Sequence, residues 1–213
     1  MKLSIERSTL LKAVSQAQSV VERRNTIPIL ANVLIEAEGD HVQFRATDLD
    51  IEVLDKVMAH VERAGATTVP ALTLHDIVRK LPDGALVTIS DDPAKGRLTV
   101  EAARSVFSLA TLPKEDFPVM ASSEYAANFS APAPLLRRLF DKSKFAISTE
   151  ETRYYLNGVY MHVASSDGGQ VIRCVATDGH RLARVDADLP EGAADLPGVI
   201  VPRKTVGELR KLL

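Results

Sequence analysis

The 213-residue sequence has one cysteine, Cys174, and no tryptophan. A lone cysteine closes no internal disulfide and builds no cysteine-rich metal cage, which fits a reducing, cytoplasmic setting. Aromatic residues make up 5% of the chain, too few for a platform on which single-stranded nucleic acid stacks. Long apolar runs are missing as well. The best stretch, 27–35, contains Pro28 and Asn32 and is about half the length a membrane-spanning helix needs. The opening MKLSIER lacks the apolar segment of a signal peptide. No phosphate-binding glycine loop of Walker or dinucleotide type occurs. Neither sign of charge dominates: 26 Lys and Arg face 28 Asp and Glu, a net −2. With 25% charged and 46% hydrophobic residues, the composition is globular, and the length allows one large domain or two of about 100 residues.

What the chain does have is internal repetition. Ala46-Thr47-Asp48 recurs as Ala176-Thr177-Asp178, at an offset of 130. Leu30-Ala31-Asn32-Val33 resembles Leu156-Asn157-Gly158-Val159, at an offset of 126. Val69-Pro70 with Thr73 and Leu81 matches Val201-Pro202 with Thr205 and Leu213, at 132, and Leu10-Leu11-Lys12 matches Leu135-Leu136-Arg137, at 125. Four matches in one order, with slowly drifting offsets, describe a duplicated domain with small loop insertions. A fainter repeat lies inside the first copy, where Thr9, Leu10 and Val14 match Thr73, Leu74 and Val78 at an offset of 64. The expected domains are 1–120 and 121–213, with 121–130 a linker or first strand. The second copy stops at Leu213, the counterpart of Leu81. The second domain is therefore expected to lack its last strands, as in a fragment.

Each half-domain reads as a short amphipathic helix followed by period-2 runs. Leu10, Val14, Ala17 and Val21 share one helical face, as do Leu74, Ile77, Val78 and Leu81. Pro134 suits the first turn of a third helix carrying Leu135, Leu139 and Phe140, and Val206, Leu209 and Leu213 mark a fourth. Val42, Phe44 and Ala46 alternate with polar residues, and the pattern continues through Ile51, Val53, Val57, Ala59 and Val61. Leu98, Val100 and Ala102 form another run, and 106–112 another. Asp83-Gly84 and 91–96 are turn signals. The class is α+β, with antiparallel sheets and helices on one face.

Charge is sorted by element. The helical segments 8–24, 71–81, 134–145 and 202–213 carry thirteen Lys and Arg against four acids, a net +9, and the remainder carries −11. Basic residues in a last turn complement the helix dipole, which accounts for Arg79, Lys80, Arg210 and Lys211. It does not account for Lys12, Arg137, Arg138, Arg203 and Lys204, which sit early. Positive helices beside acidic sheets suit a polyanion on the helical face; a merely solvated helix face is the other reading.

Thr177-Asp178-Gly179-His180-Arg181 admits two readings. A catalytic one pairs Asp178 with His180, and with Cys174 or His162, but the spacing matches no metal-ligand template. The other is a tight turn in which Asp178 bonds its own backbone. Cys174, in an alternating strand, reads as a small core residue. A hydrolase and a pure protein-interaction adaptor both stay open on these residues alone.

Arg153-Tyr154-Tyr155-Leu156-Asn157-Gly158, Ala176-Thr177-Asp178-Gly179-His180-Arg181-Leu182-Ala183 and Val201-Pro202-Arg203-Lys204 resemble the bacterial sliding-clamp family, the β subunits of DNA polymerase III. Ile27-Pro28-Ile29-Leu30, Thr47-Asp48-Leu49, Phe107-Ser108-Leu109, Thr111-Leu112-Pro113 and Asp116-Phe117-Pro118 resemble its first domain. The resemblance covers the whole chain. It implies three similar domains per chain and two chains per ring, with sheets outside and basic helices lining a hole around duplex DNA. The third domain is expected to be absent here. The resemblance implies a non-catalytic processivity factor for the replicative polymerase, with no cofactor or metal.

It also implies residues. Arg24, Tyr154 and Tyr155 stand where the family contacts DNA, with Arg203, Lys204, Arg137 and Arg138 as basic partners. Leu72 and Glu150 depart from the polar or basic residues expected at such sites. Leu156, Thr177, Gly179, His180, Arg181 and Leu182 resemble one wall of the pocket that takes short peptide motifs of polymerases and clamp loaders. Read without the family, both leucines are core. Arg104, Phe107 and Leu109 fall at the ring junction, on a strand apolar on both faces.

Overall fold

The structure, a computed structural model, describes residues 1–21, 26–118 and 125–213. The chain divides into two compact units, Met1–Ala121 and Ser122–Leu213. In the first, β1 (Lys2–Glu6) leads into α1 (Arg7–Val20), then into the meander β2 (Asn32–Glu38), β3 (His41–Thr47) and β4 (Glu52–Met58). After a short β5 (His60–Arg63) the order returns as β6 (Gly65–Pro70), α2 (Ala71–Lys80), β7 (Leu86–Asp92), β8 (Arg97–Ala102) and β9 (Ser105–Ala110). The inner repeat is therefore a β-α-β-β-β unit used twice. The halves exchange their first strands. β1 pairs with β7 in the sheet β5-β1-β7-β8-β9, and β6 pairs with β2 in the sheet β4-β3-β2-β6, all antiparallel. Neither sheet closes without a strand from the other half, which makes the unit one cooperative body.

Local chemistry sets the helix ends. The Glu6 carboxylate accepts from the amides of Ser8 and Thr9 at 2.8 and 3.1 Å, satisfying two donors the first turn leaves orphaned. At the end of α2, Arg7 donates to the carbonyls of Val78 and Arg79, at 3.1 and 2.7 Å, and to Asp83. A guanidinium there neutralises the negative end of the helix. Leu10, Ala13, Val14, Ala17 and Val20 are buried at helical spacing, and Leu74 and Val78 sit equivalently in α2. Phe44, Leu3, Ile35, Ile89 and Leu98 complete a core shared by both sheets and both helices. Truncating Phe44 to Ala would cost about 3–5 kcal/mol.

The second unit repeats half of this plan with α3 (Ala133–Ser143), β10 (Gly158–Ser166), β11 (Gly169–Thr177), β12 (Leu182–Asp188), β13 (Val199–Pro202) and α4 (Arg203–Leu212). Its sheet, β12-β11-β10-β13, has the order of β4-β3-β2-β6. The register is kept too: Gly158 faces Pro202 and Val159 faces Val201, as Asn32 faces Pro70 and Val33 faces Val69. Leu139, Phe140, Val159, Ile172, Cys174 and Val206 form its core.

Four expectations from the pattern need correction. α1 ends at Val20, where Val21 turns extended, so the helix does not run to 24; Arg23 and Arg24 lie outside the described residues. The run 51–61 is not one strand: it breaks at Ala59, and β4 and β5 join different sheets. The run 106–112 is not apolar on both faces in use. β9 ends at Ala110, and Leu109 and half-buried Phe107 pack into their own core while Val106 stands 68% exposed. Finally, 125–132 form no strand. The strand that would match β1 needs a partner matching β7, and the described residues of the second unit hold none.

Candidate nucleic-acid face and partner turn

Across α1 to α4, eleven Lys and Arg stand against three acids, Asp76, Asp141 and Glu208. Each acid is taken up locally. Asp76 pairs with Arg79 at 3.2 Å and Glu208 with Lys211 at 2.7 Å. Asp141 of α3 binds Arg210 of α4 and sits 3.3 Å from Lys144. Among the described residues Lys12, Arg138, Lys142 and Arg203 have no ion-pair partner, and all four are exposed. Arg137 is exposed and reaches only 3.8 Å from Asp141. Lys12, Arg138 and Arg203 stand ahead of the last helical turns, where the dipole would explain a cation, whereas Lys142 stands in the last turn of α3.

In the second unit a loop at 148–157 lies next to the start of α4. Ser148 N–H donates to Leu156 O at 3.0 Å, and Arg203 N–H donates to Asn157 O at 2.9 Å. This loop projects Tyr154 and Tyr155, 78% and 57% exposed, with ring centroids 5.6 Å apart edge to face. Two large aromatics are thus left in water on a loop whose last residue, Asn157, binds the amide of Arg203 at the start of α4. Glu150 pairs with Arg153 at 3.1 Å, which offsets the anion at that position. Leu72 is half-buried on α2. Arg24 lies outside the described residues.

The 177–182 segment is a turn between β11 and β12. Asp178 accepts from the amides of His180 and Arg181, both at 3.0 Å, and its second oxygen takes Arg181 Nε at 2.9 Å. Those amide bonds hold its carboxyl well below the usual range, at about 2. A carboxylate spent on its own turn is not a catalytic partner for the exposed His180, so the hydrolase reading fails at its first residue. The Arg181 guanidinium lies 5.7 Å from the centroid of the Phe145 ring, a cation–π distance. Leu182 is 65% exposed and Leu156 half-buried, so the leucines do not both belong to the core. Thr177 and the exposed Gly179, His180, Arg181 and Leu182 share this one turn, which the loop carrying Leu156 approaches through the Arg153 side chain at Gly179. Phe145 was not legible in advance, because nothing in the pattern says that its ring faces out.

In the first unit, β9 is an edge strand that pairs with β8 alone among named strands. Arg104 is exposed in the β8–β9 turn, beside Ala103 at φ +52°.

The DNA polymerase III beta subunit N-terminal domain model matches residues 1–121, and the central domain model matches 131–213. The chain belongs to the DNA polymerase III beta subunit family. A beta sliding clamp of Caulobacter vibrioides is 56% identical over 216 aligned residues, covering 100% of this chain and 57% of the relative. The solved Caulobacter crescentus pol III beta aligns with a TM-score of 0.96, again over 100% of this chain and 57% of that one. A Bartonella birtlesii sliding clamp, solved bound to griselimycin, aligns at 0.94 with 50% identity, over 100% of this chain and 56% of that one. The chain thus spans a little over half the length of the relatives it matches. The family fold is the α+β arrangement described above. Among the described residues no helix is long and apolar enough to cross a membrane.

Proposed function

We propose that this chain provides the DNA-facing helices and partner-binding wall of a bacterial sliding clamp, a cytoplasmic, non-catalytic processivity factor. What carries the reading is the sorting of charge: acids on α1 to α4 are neutralised locally while Lys12, Arg138, Lys142 and Arg203 are left uncompensated. A sliding protein needs contacts to phosphate, not to base edges, so that every register along the duplex has the same energy. Tyr154, Tyr155, Arg203, Lys204, Arg137, Arg138 and Arg24 are the proposed DNA contacts. The wall at 177–182 with Leu156 takes the apolar side chains of a short peptide motif from polymerase or clamp loader. The edge strand β9, with Arg104, Phe107 and Leu109, is the proposed ring junction, where a third clamp domain of a second chain adds its strand. Val106 supplies the exposed apolar contact there. Griselimycin on the Bartonella relative is in keeping with a small-ligand pocket on this fold.

The test is salt-dependent binding of this chain to a short duplex by fluorescence anisotropy. The log–log slope should be about −0.9 per phosphate neutralised. Arg137→Glu with Arg138→Glu, or Arg203→Glu, should lower both affinity and slope whatever the DNA sequence. Arg97→Glu, exposed on β8, should change neither. Arg63 makes a poor control, because it donates to the carbonyls of Met1 and Asp91 at 3.2 Å. Equal losses from helical and sheet reversals would remove the helices from the DNA face.

A further inference from the structure

Arg153 joins two parts of the second unit that the clamp reading treats separately. It precedes the exposed pair Tyr154 and Tyr155, and its backbone, at φ −110° and ψ 57°, interrupts the helical turns on either side. Its Nε holds Glu150 at 3.1 Å. Its Nη1 lies against Gly179, so close that a Cβ placed on that glycine would meet it at 3.1 Å. Gly179 sits at φ +91° in the middle of the partner turn, between Asp178 and His180. The turn is braced from within by Arg181 on Asp178 and touched from outside by Arg153.

We propose that Arg153 is a positioning residue that couples DNA contact at Tyr154 and Tyr155 to the shape of the partner turn at Gly179. The inference rests on the clamp reading above. A phosphate drawn to the tyrosines competes with Glu150 for the neighbouring guanidinium. Moving that guanidinium changes what rests on Gly179, the residue of the turn with the most backbone freedom. Coupling of this kind is reciprocal: a peptide seated on the turn would alter DNA affinity by the same factor.

The experiment follows backbone amide shifts of this chain by NMR as a short duplex is added. Tyr154, Tyr155 and Gly179 should all shift with one binding curve. In Arg153→Ala the tyrosines should still respond, while the Gly179 response falls below half. Glu150→Gln should lessen the Gly179 response, since the guanidinium no longer trades one anion for another. Arg153→Lys keeps the charge without the flat fork, and should leave the tyrosine response intact without returning the response at Gly179. A merely structural role would change the Gly179 shift before DNA is added and leave its response intact. Tyrosine shifts with a silent Gly179 in the unaltered chain overturn the coupling alone. Silence at the tyrosines overturns the DNA reading, and the coupling with it.

Discussion

Leu49 and Gly179 hold the same place in two copies of one turn, at φ +80° and +91°. The scaffolds match bond for bond. Thr47 and Thr177 accept from the amides of residues 49 and 179 at 3.0 and 3.1 Å. Asp48 and Asp178 each accept from the amides two and three residues on. A leucine in this left-handed region is held there by the two side chains before it, Thr47 and Asp48, at a cost of about 1–2 kcal/mol.

Leu49→Gly should therefore stabilise the first unit slightly. The side chain is 51% exposed, so little burial is lost, and relief of strain exceeds the added chain entropy by about 0.5 kcal/mol. Gly179→Ala should cost about 1–2 kcal/mol from the backbone alone. Urea denaturation of both variants decides this; a loss for Leu49→Gly above about 1 kcal/mol would show that the leucine packs usefully.

Gly158→Ala should weaken the β10–β13 pairing. An added Cβ would lie 2.4 Å from Val201 O and 2.7 Å from Ile200 Cγ2, and a strand backbone cannot step aside without breaking its ladder. Overpacking of this kind costs about 1–3 kcal/mol. Hydrogen exchange should quicken at Tyr160 and Ile200, paired across these strands, and at Arg203, whose amide binds Asn157 next door.

The second unit should lose stability below about pH 6.5. Burial, then the nearby Arg173 charge, lowers the His162 pKa from its ordinary 6.5. The folded state therefore binds fewer protons than the unfolded one, and the stability present above pH 6.5 declines as pH falls toward the folded value. Asp186 opposes this in part and is itself held far below the usual range by hydrogen bonds from Arg173 and Arg184. His162→Phe keeps a flat ring against Tyr160, 4.5 Å away by centroid, and should flatten the profile in the range below the ordinary histidine value of about pH 6.5. Unfolding midpoints across that range test it; an unchanged slope would place the acid sensitivity elsewhere.

Cys174 should be inert while the second unit is folded. It is fully buried, and burial pushes its thiol up to about 12, so almost no thiolate exists at pH 8. A chromogenic disulfide should react only as fast as the unit opens, and at once in denaturant. Prompt reaction in native buffer would place the thiol within reach of solvent.

The sequence by itself determined what depends on residue type and spacing. The repeats at about 130 and 64 residues, the faces of α1 and α2, the alternation in β3 and β8, and the self-bonded turn at Asp178 follow from local geometry. Local rules hold wherever the chain goes, so they could be read before any fold was known. The grouping of Leu156 with 177–182 came from the family motifs and belongs to the proposed function. Tertiary structure decided the rest. That β1 pairs with β7 and β6 with β2 is a choice of partner, and a strand's own pattern does not name its partner. That Leu109 faces inward while Val106 faces water was settled by which side of β9 met the core. Leu49 accepts a left-handed backbone because Thr47 and Asp48 bind the amides around it. Arg153 reaches Gly179, twenty-six residues away in sequence, because β10 and β11 fold back on each other, and only the completed sheet brings that loop and that turn together.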